Sequence, residues 1–476
     1  MYFNCINTIN ESYEKYVITT TSKEINFPDF FSENIKNSAK KLLELEELKE
    51  DEYKKLELNL IDDDKLISLI ILYLGNEDKL NSHNIREYLY SGLKNITGKI
   101  LFLANGVKLI TPDLMAEISE HINYKFDKYL SEKKEKFLNL NYLIKGEVPE
   151  IIEGVHLAKI STIIKNLINE PAEVMNPKQL ASQALELGEL FGFEVEILDE
   201  DKAFELGMTS YLSVARAAHH RPYVIVMRYN GDSDSKYKFG LVGKGLTYDT
   251  GGLSLKPTSG MVDMKEDMGG SATIIGTMCA VASMKLKKNV VAVVAACENS
   301  IGPNAYRPGD IIETMNGKTV EVTNTDAEGR MTLIDALTYI IRCEEVDEVI
   351  DAATLTGAIM VAIGEEVTGV FTNNDEMARK LIAASKNWHE DFWLMPMFDS
   401  YKRYLKSPVA DLKNSTVRWG GAITAAKFLE EFVEDKKWIH LDIAGTVFDH
   451  GSKSKYYDQG PTAQVFRTIY TYIKEN

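Results

Sequence analysis

From residue 175 onward the chain alternates short, densely apolar runs with longer runs in which apolar positions recur at helical spacing. The runs "YVIVMRY", "KFGLVGKG", "NVVAVVAAC", "TVEVTNT", "EVIDAAT", "VTGVFT" and "WIHLDIAG" read as strands. Between them, "SATIIGTMCAVASMKL", "RMTLIDALTYIIRC", "DEMARKLIAASKN" and "AITAAKFLEEFV" read as amphipathic or buried helices. Strands and helices taking turns predict an α/β fold with a mainly parallel sheet flanked by helices. Before residue 150 the texture differs. Charged stretches such as "SAKKLLELEELKEDEYKKLEL", read as a solvated helix, alternate with short apolar strands such as "KILFLA", which predicts a smaller N-terminal α/β domain. Around "IEGVHLAKISTIIKNLINEPAEVMNPKQL" a long helical pattern runs toward Pro171 and Pro177. The expected organisation is therefore a domain over 1–150, a connecting helix over 151–175 and a larger domain over 176–476. Neither an internal repeat nor a low-complexity tract interrupts it.

Composition narrows the function classes. The 476 residues are 45% hydrophobic, enough for a large core, and the length suggests two or three domains. With 54 basic against 71 acidic residues the net charge is −17, which opposes nonspecific binding to nucleic acid or anionic membrane. Apolar runs such as "LISLIILYL" stop short of the roughly twenty residues a membrane span needs. "MYFNCINTINESYEK" lacks the charged start and apolar stretch of a secretory signal, so a cytoplasmic protein is expected. The cysteines at 5, 279, 297 and 343 have no CxxC spacing, and three of the four lie in apolar segments and read as core residues.

Two polar clusters stand out. "VTNTDAEGRMTL", 322–333, puts Asp326, Glu328 and Arg330 where a strand-like run gives way to a helical one. Alone, it also reads as a capped helix start, with Thr325 or Asp326 at the N-cap and Glu328 in the first turn. Ligands in parallel sheets, however, gather at the carboxyl ends of strands, where this segment sits. The second cluster, 241–273, carries Lys244, Asp249, Lys256 and Asp267 amid seven glycines, a composition suited to bringing main chain close to a ligand. If the two converge, four carboxylates repel one another unless cations lie between them. Two divalent ions resolve that repulsion and can activate a shared water. Lys244 could join them only as a neutral amine, while Lys256 and Arg330 would remain as cations. "GKGLTYDTGG" lacks the order of a phosphate loop. His219 and His220, adjacent in a segment read as extended, should point to opposite faces and not form a metal pair.

Taken together, "VGKGLTYDTGGLSLKP", "MKEDMGGSA", "YRPGDII", "TNTDAEGR", "DAATLTGA" and "HLDIAG" resemble the leucyl aminopeptidase family, the two-metal cytosol aminopeptidases, in order over roughly 165–470. The resemblance implies a metal-dependent aminopeptidase whose catalytic domain is the segment 176–476. Asp249 and Glu328 would bridge the two metals, Asp326 would complete one site, and Lys244 with Asp267 the other. Lys256 would contact the scissile carbonyl, and Arg330 would hold a bicarbonate anion that acts as general base toward the bridging water. Met264, Thr354, Leu355 and Gly357 would lie near the substrate, with Met264 and Thr354 shaping an apolar pocket for a first residue such as leucine or methionine; "DAATLTGAIMVAIG" also reads as a plain strand and buried helix. His440, in a strand the family shares, reads as structural. Expected partners are short peptides with a free N-terminus and further copies in a homohexamer. The donor set admits zinc, manganese, magnesium or cobalt. Some relatives double as DNA-binding regulators, a role the acidic balance speaks against.

Overall fold

The computed structural model describes residues 2–476 except 63, 134–136, 149–151 and 452–454. The chain divides into two compact units, Met1–Thr162 and Ile163–Asn476. The expected boundary at 150/151 lies outside the described residues; the division falls inside a helix that starts at Glu153.

The first unit is a six-stranded sheet with helices. Its strands are β1 (Phe3–Ile6), β2 (Lys15–Thr20), β3 (Lys54–Asp62), β4 (Lys65–Tyr73), β5 (Gly98–Leu103) and β6 (Leu138–Leu143), in the order β1-β6-β5-β2-β4-β3. Helices α1 (Glu33–Leu45), α2 (Ser82–Leu93) and α3 (Pro112–Asn123) accompany them. One expectation fails here. The charged run from Ser38 to Leu58 is helical only to Leu45, and its last part is β3. In "KKLELNL" apolar residues recur every second position, and Leu56, Leu58 and Leu60 pair with Ile71, Leu69 and Ile67 of β4. Period two, not helical spacing, governs that segment.

Helix α4 (Glu153–Asn169) follows, then the second unit, which contains α5 (Pro177–Phe191), β7 (Glu194–Leu198), α6 (Glu200–Glu205), α7 (Thr209–Ala215), β8 (Tyr223–Asn230), β9 (Lys238–Asp249), α8 (Gly269–Ser283) and β10 (Asn289–Asn299). After these come β11 (Ile311–Glu313), β12 (Thr319–Glu321), α9 (Glu328–Arg342), β13 (Glu348–Ala353), α10 (Gly357–Ile363), β14 (Val367–Thr372), α11 (Asp375–Ser385), β15 (Asp391–Leu394), β16 (Leu412–Lys413), α12 (Gly421–Glu430), β17 (Lys437–Asp442) and, past a short hairpin, a C-terminal helix α13 (Phe466–Glu475). The eight-stranded sheet has the order β15-β14-β17-β13-β9-β10-β8-β7. Its centre, β17, β13, β9 and β10, is parallel, as predicted, and antiparallel strands flank it.

The central strands are buried on both faces: every residue of β10 and β13 is buried, which is why β10 reads as an apolar run from Val290 to Cys297, whereas β13 buries Asp351 against Trp438 and His440. α8 and α9 are likewise buried nearly throughout, and a large apolar core surrounds α9. "TVEVTNT" contributes only a three-residue strand, because from Val322 its backbone turns to carry polar groups toward β9. Of the cysteines, Cys279 and Cys297 are buried, whereas Cys5 is half-buried and Cys343 exposed, so two and not three belong to the core. No helix among the described residues is long and apolar enough to cross a membrane.

Candidate metal centre

The site is assembled at the carboxyl end of β9. In a regular strand Lys244 and Asp249, five positions apart, would face opposite sides of the sheet. The register with β10 shifts at Cys297/Glu298: Leu246 pairs with Cys297 and Tyr248 with Glu298, which leaves Thr247 as an extra residue. That bulge returns Asp249 to the face that Lys244 uses. The chain then turns sharply at Gly251 and Gly252, whose φ values of 82° and 62° an L side chain adopts poorly. The turn brings Lys256 back to the cluster.

The second loop arrives from β12. Thr325, one of the two residues considered as an N-cap, does not cap α9. Its hydroxyl donates to the Gly251 carbonyl at 2.7 Å and accepts from the Ser254 amide at 2.8 Å, while its own amide donates to Ser254 Oγ at 3.1 Å. Ala327 holds the N-cap position without a side-chain hydrogen bond, so Asp326 is not a cap either. Both carboxylates at this turn are thereby left for the site. Asp267 comes from a single tight turn, Met264–Met268, immediately before α8. Gly329 leaves a slot in α9 through which the Lys244 side chain passes; a Cβ there would stand 2.6 Å from Lys244 Cε.

These elements bring all five expected ligand residues together. Carboxylate oxygens of Asp249, Asp326 and Glu328 lie within 4.8 Å of one another. Lys244 Nζ sits 2.7 Å from Asp267 Oδ1, 3.0 Å from Glu328 Oε1 and 2.9 Å from the Thr354 carbonyl. Lys256 Nζ lies 2.9 Å from Asp249 Oδ2 and 2.7 Å from Asp326 Oδ1. Burial, then the neighbouring Asp249 charge, pushes Glu328 up to about 8. Burial also pushes Asp267 up to about 6 against the pull of Lys244, and it raises Asp326. Burial opposes charge on Lys244 and Lys256 as well, but the carboxylates around them outweigh it and raise both. Asp267 Oδ2 and Glu328 Oε2 are buried acceptors without a hydrogen-bond partner. Buried carboxylate oxygens of this kind, converging from four side chains, fit hard divalent cations.

Arg330 is buried in the first turn of α9. Its Nη1 donates to the Asn414 carbonyl at 2.6 Å, and its Nε has no partner, which leaves donors for a planar anion. Burial lowers it to about 10, still above neutrality. Among the residues expected near the substrate, Thr354 donates from Oγ1 to Asp267 Oδ1 at 2.8 Å, and Met264 opens the turn that ends beside Asp267. Leu355 donates its amide to Asp442 Oδ1 at 3.2 Å, and Gly357 begins α10 with an exposed backbone.

The two adjacent histidines differ from expectation. They lie in a bend before β8, not in an extended segment, and their rings meet edge to face at 5.3 Å. His220 Nδ1 is engaged with Glu298 Oε1 at 2.8 Å. His440 is fully buried, 2.6 Å from Asp351 Oδ1 and flanked by Phe371 and Trp438. Supporting residues that were not singled out in the sequence also emerge. Asn299 donates to Asp249, Asn414 holds the amide of Thr323 and the carbonyl of Asn324, and Asp442 accepts from Thr356 Oγ1 at 2.7 Å. Asn299 and Asp442 stand at the last positions of β10 and β17, so a search of strand carboxyl ends would have found them.

The chain is similar to known proteins over most of its length. Residues 162–470 match the catalytic domain of the cytosol aminopeptidase family. A probable cytosol aminopeptidase of Fusobacterium nucleatum subsp. nucleatum is 62% identical over 476 residues, covering all of both chains. One from Clostridium perfringens is 45% identical over 426 residues, 86% of each chain. Among solved structures, the bottromycin maturation enzyme BotP in complex with Mn is similar with a TM-score of 0.84 at 26% identity, over 98% of this chain and 99% of that one.

Proposed function

The chain belongs to the cytosol aminopeptidase family and is a metal-dependent aminopeptidase, and from that premise we propose that it removes apolar first residues, leucine or methionine above all, from short peptides. The observation that carries the site assignment is the convergence of Lys244, Asp249, Asp267, Asp326 and Glu328 with two buried, unpartnered carboxylate oxygens. Asp249 and Glu328 would be the ligands common to two divalent ions, Asp326 would complete one site, and Lys244 with Asp267 the other. Zinc or manganese suits these donors, and magnesium or cobalt is also compatible with them. When bound, the two ions supply Lewis acidity and a nucleophilic water near neutral pH.

The chain's own groups divide the remaining work. Lys244, Asp249, Asp267 and Glu328 have side chains 2–6% exposed and close off one side of the cluster, while Lys256 at 18% and Asp326 at 34% mark its open side. Substrate would therefore enter beside Lys256, whose ammonium would steady negative charge growing on the scissile carbonyl oxygen. Arg330, charged at neutral pH, offers a planar fork that suits bicarbonate, and an anion held there would supply a general base. Met264 and Thr354 shape the pocket for the first side chain, with Leu355 and Gly357 lining the approach. The exposure of Trp393, Phe398 and Trp419 on the second unit supports further burial by copies of the chain in a homohexamer, which light scattering tests.

The deciding experiment is hydrolysis of Leu-p-nitroanilide and Leu-Gly after chelation, with single metals restored, beside an amino-blocked leucine substrate. Activity on the free-amine substrates alone is expected. Equal cleavage of the blocked substrate would refute the exopeptidase assignment. Arg330→Ala should keep fold and metals but slow turnover and lose any response to bicarbonate; an unaltered response would remove Arg330 from the anion site.

A further inference from the structure

Asn299 is the last residue of β10 and has no exposed surface. Its side-chain amide reaches both ligand loops at once: Nδ2 donates to Asp249 Oδ1 at 2.7 Å and to the Thr325 carbonyl at 3.0 Å. Asp249 Oδ1 also accepts the Gly251 amide at 2.8 Å. Two N–H donors therefore occupy that oxygen, whereas Oδ2 is turned into the cluster, 2.9 Å from Lys256 Nζ. The β9 bulge makes this possible, since it sets Asn299 directly opposite Asp249 in the ladder.

We propose that Asn299 is a positioning residue of the metal centre: it withholds Asp249 Oδ1, leaves Oδ2 as the oxygen offered to the cations, and joins the Asp249 loop to the Asp326 loop before any ion binds. This rests on the reading of Asp249 as a shared ligand. A carboxylate free to swing would present either oxygen, or both, and the spacing of the ions would follow it. Asn299 fixes the choice with a neutral donor, so no extra charge enters a cluster that already holds four carboxylates. Partners of this outer kind set metal affinity by about 10- to 100-fold when removed.

A contrast residue lies beside it. Tyr306, buried, donates from its hydroxyl to the same Thr325 carbonyl at 2.7 Å, but no hydrogen bond ties it to a ligand carboxylate among the described residues. Tyr306→Phe therefore loosens the same loop without freeing Asp249. The test loads the full chain with manganese and records the electron paramagnetic resonance of the ion pair, with affinities from chelator competition. Wild type is expected to give an exchange-coupled pair. Asn299→Ala should alter the coupling and weaken the looser ion by about 10- to 100-fold, and Tyr306→Phe should change neither. Should Asn299→Ala fail to fold, Asn299→Ser, which fills part of the space but cannot reach Asp249, is read the same way.

An Asn299 variant with wild-type coupling and affinity would overturn the proposal, as would a Tyr306→Phe spectrum changed like that of Asn299→Ala. Wild type without a coupled pair would instead overturn the ligand assignment of Asp249, and the proposal with it.

Discussion

Replacing Gly329 with alanine separates stability from metal binding in a way that few substitutions at this site can. Gly329 lies in the first turn of α9, with no positive φ, so alanine suits its backbone and gains about 1 kcal/mol of helix propensity. The new Cβ would stand 2.6 Å from Lys244 Cε, 2.8 Å from Nζ and 3.0 Å from Cδ. Carbon atoms in contact settle at about 3.5–4.0 Å, so the lysine tip must retreat by about 1 Å. Helix backbone cannot give way, whereas the end of a lysine can. Lys244 Nζ is held at 2.7, 2.9 and 3.0 Å by Asp267, Thr354 and Glu328, and a retreat of that size exceeds the tolerance of those bonds. The weakened contacts of the buried ammonium work against the helix gain, so thermal unfolding should fall modestly with the chain still folded, while the Lys244 ion binds about 10- to 100-fold more weakly. Turnover of Leu-p-nitroanilide should fall by about a hundredfold, as a misplacement of 1 Å does. Metal content after dialysis, unfolding and turnover are read on one preparation. Two ions at full affinity with full turnover would exclude Lys244 as a ligand, and an unfolded variant would show that the lysine is not the part that yields.

Metal loading should release protons, because Lys244 is held as an ammonium and burial keeps Glu328 partly protonated near pH 8; titration calorimetry in buffers of different ionisation enthalpy reads this, and no release would rule out ligation by the amine. Gly270→Ala should behave unlike Gly329→Ala, since its Cβ would meet backbone, 2.2 Å from the Ala352 carbonyl oxygen and 2.9 Å from the Lys244 nitrogen. A loss of about 3 kcal/mol in denaturant unfolding is expected, and an unchanged midpoint would refute the packing described between α8 and the sheet. Asp335, fully buried, is pushed up to about 7 by burial, although the amides of Met315, Tyr211 and Ser210 pull it down. Its folded value lies above the unfolded one, so the folded chain holds the extra proton and this group's contribution to stability declines as pH rises from about 4 to about 7. An asparagine side chain does not titrate and carries no such dependence; Asp335→Asn should therefore gain on wild type across that range in urea unfolding, and a constant difference between pH 5 and pH 8 would contradict the shift.

The parts of this molecule that were legible in the chain are those in which one residue type serves a single demand. β10 read as a strand because burial on both faces leaves its centre, Val290 to Cys297, without a polar position, and Asp249, Asp326 and Glu328 stood out as candidate ligands because clustered carboxylates need cations. β3 was hidden because its Lys-Leu-Glu-Leu alternation follows a charged helix without a break in composition. The antiparallel flanks of the sheet were hidden for another reason: strand direction depends on how the connections cross, which the apolar pattern does not encode. Asn299 and Asn414 were missed because a neutral amide leaves no mark in charge or hydropathy, and its value lies in reaching two loops that are close only after folding. Lys244 and Asp249 illustrate the same limit from the other side. Both were singled out in the sequence, yet their shared face depends on one extra residue, Thr247, whose bulge no periodicity announces. Charge shows where a metal centre can form, but the strand irregularity and the neutral donors around it decide whether those charges meet.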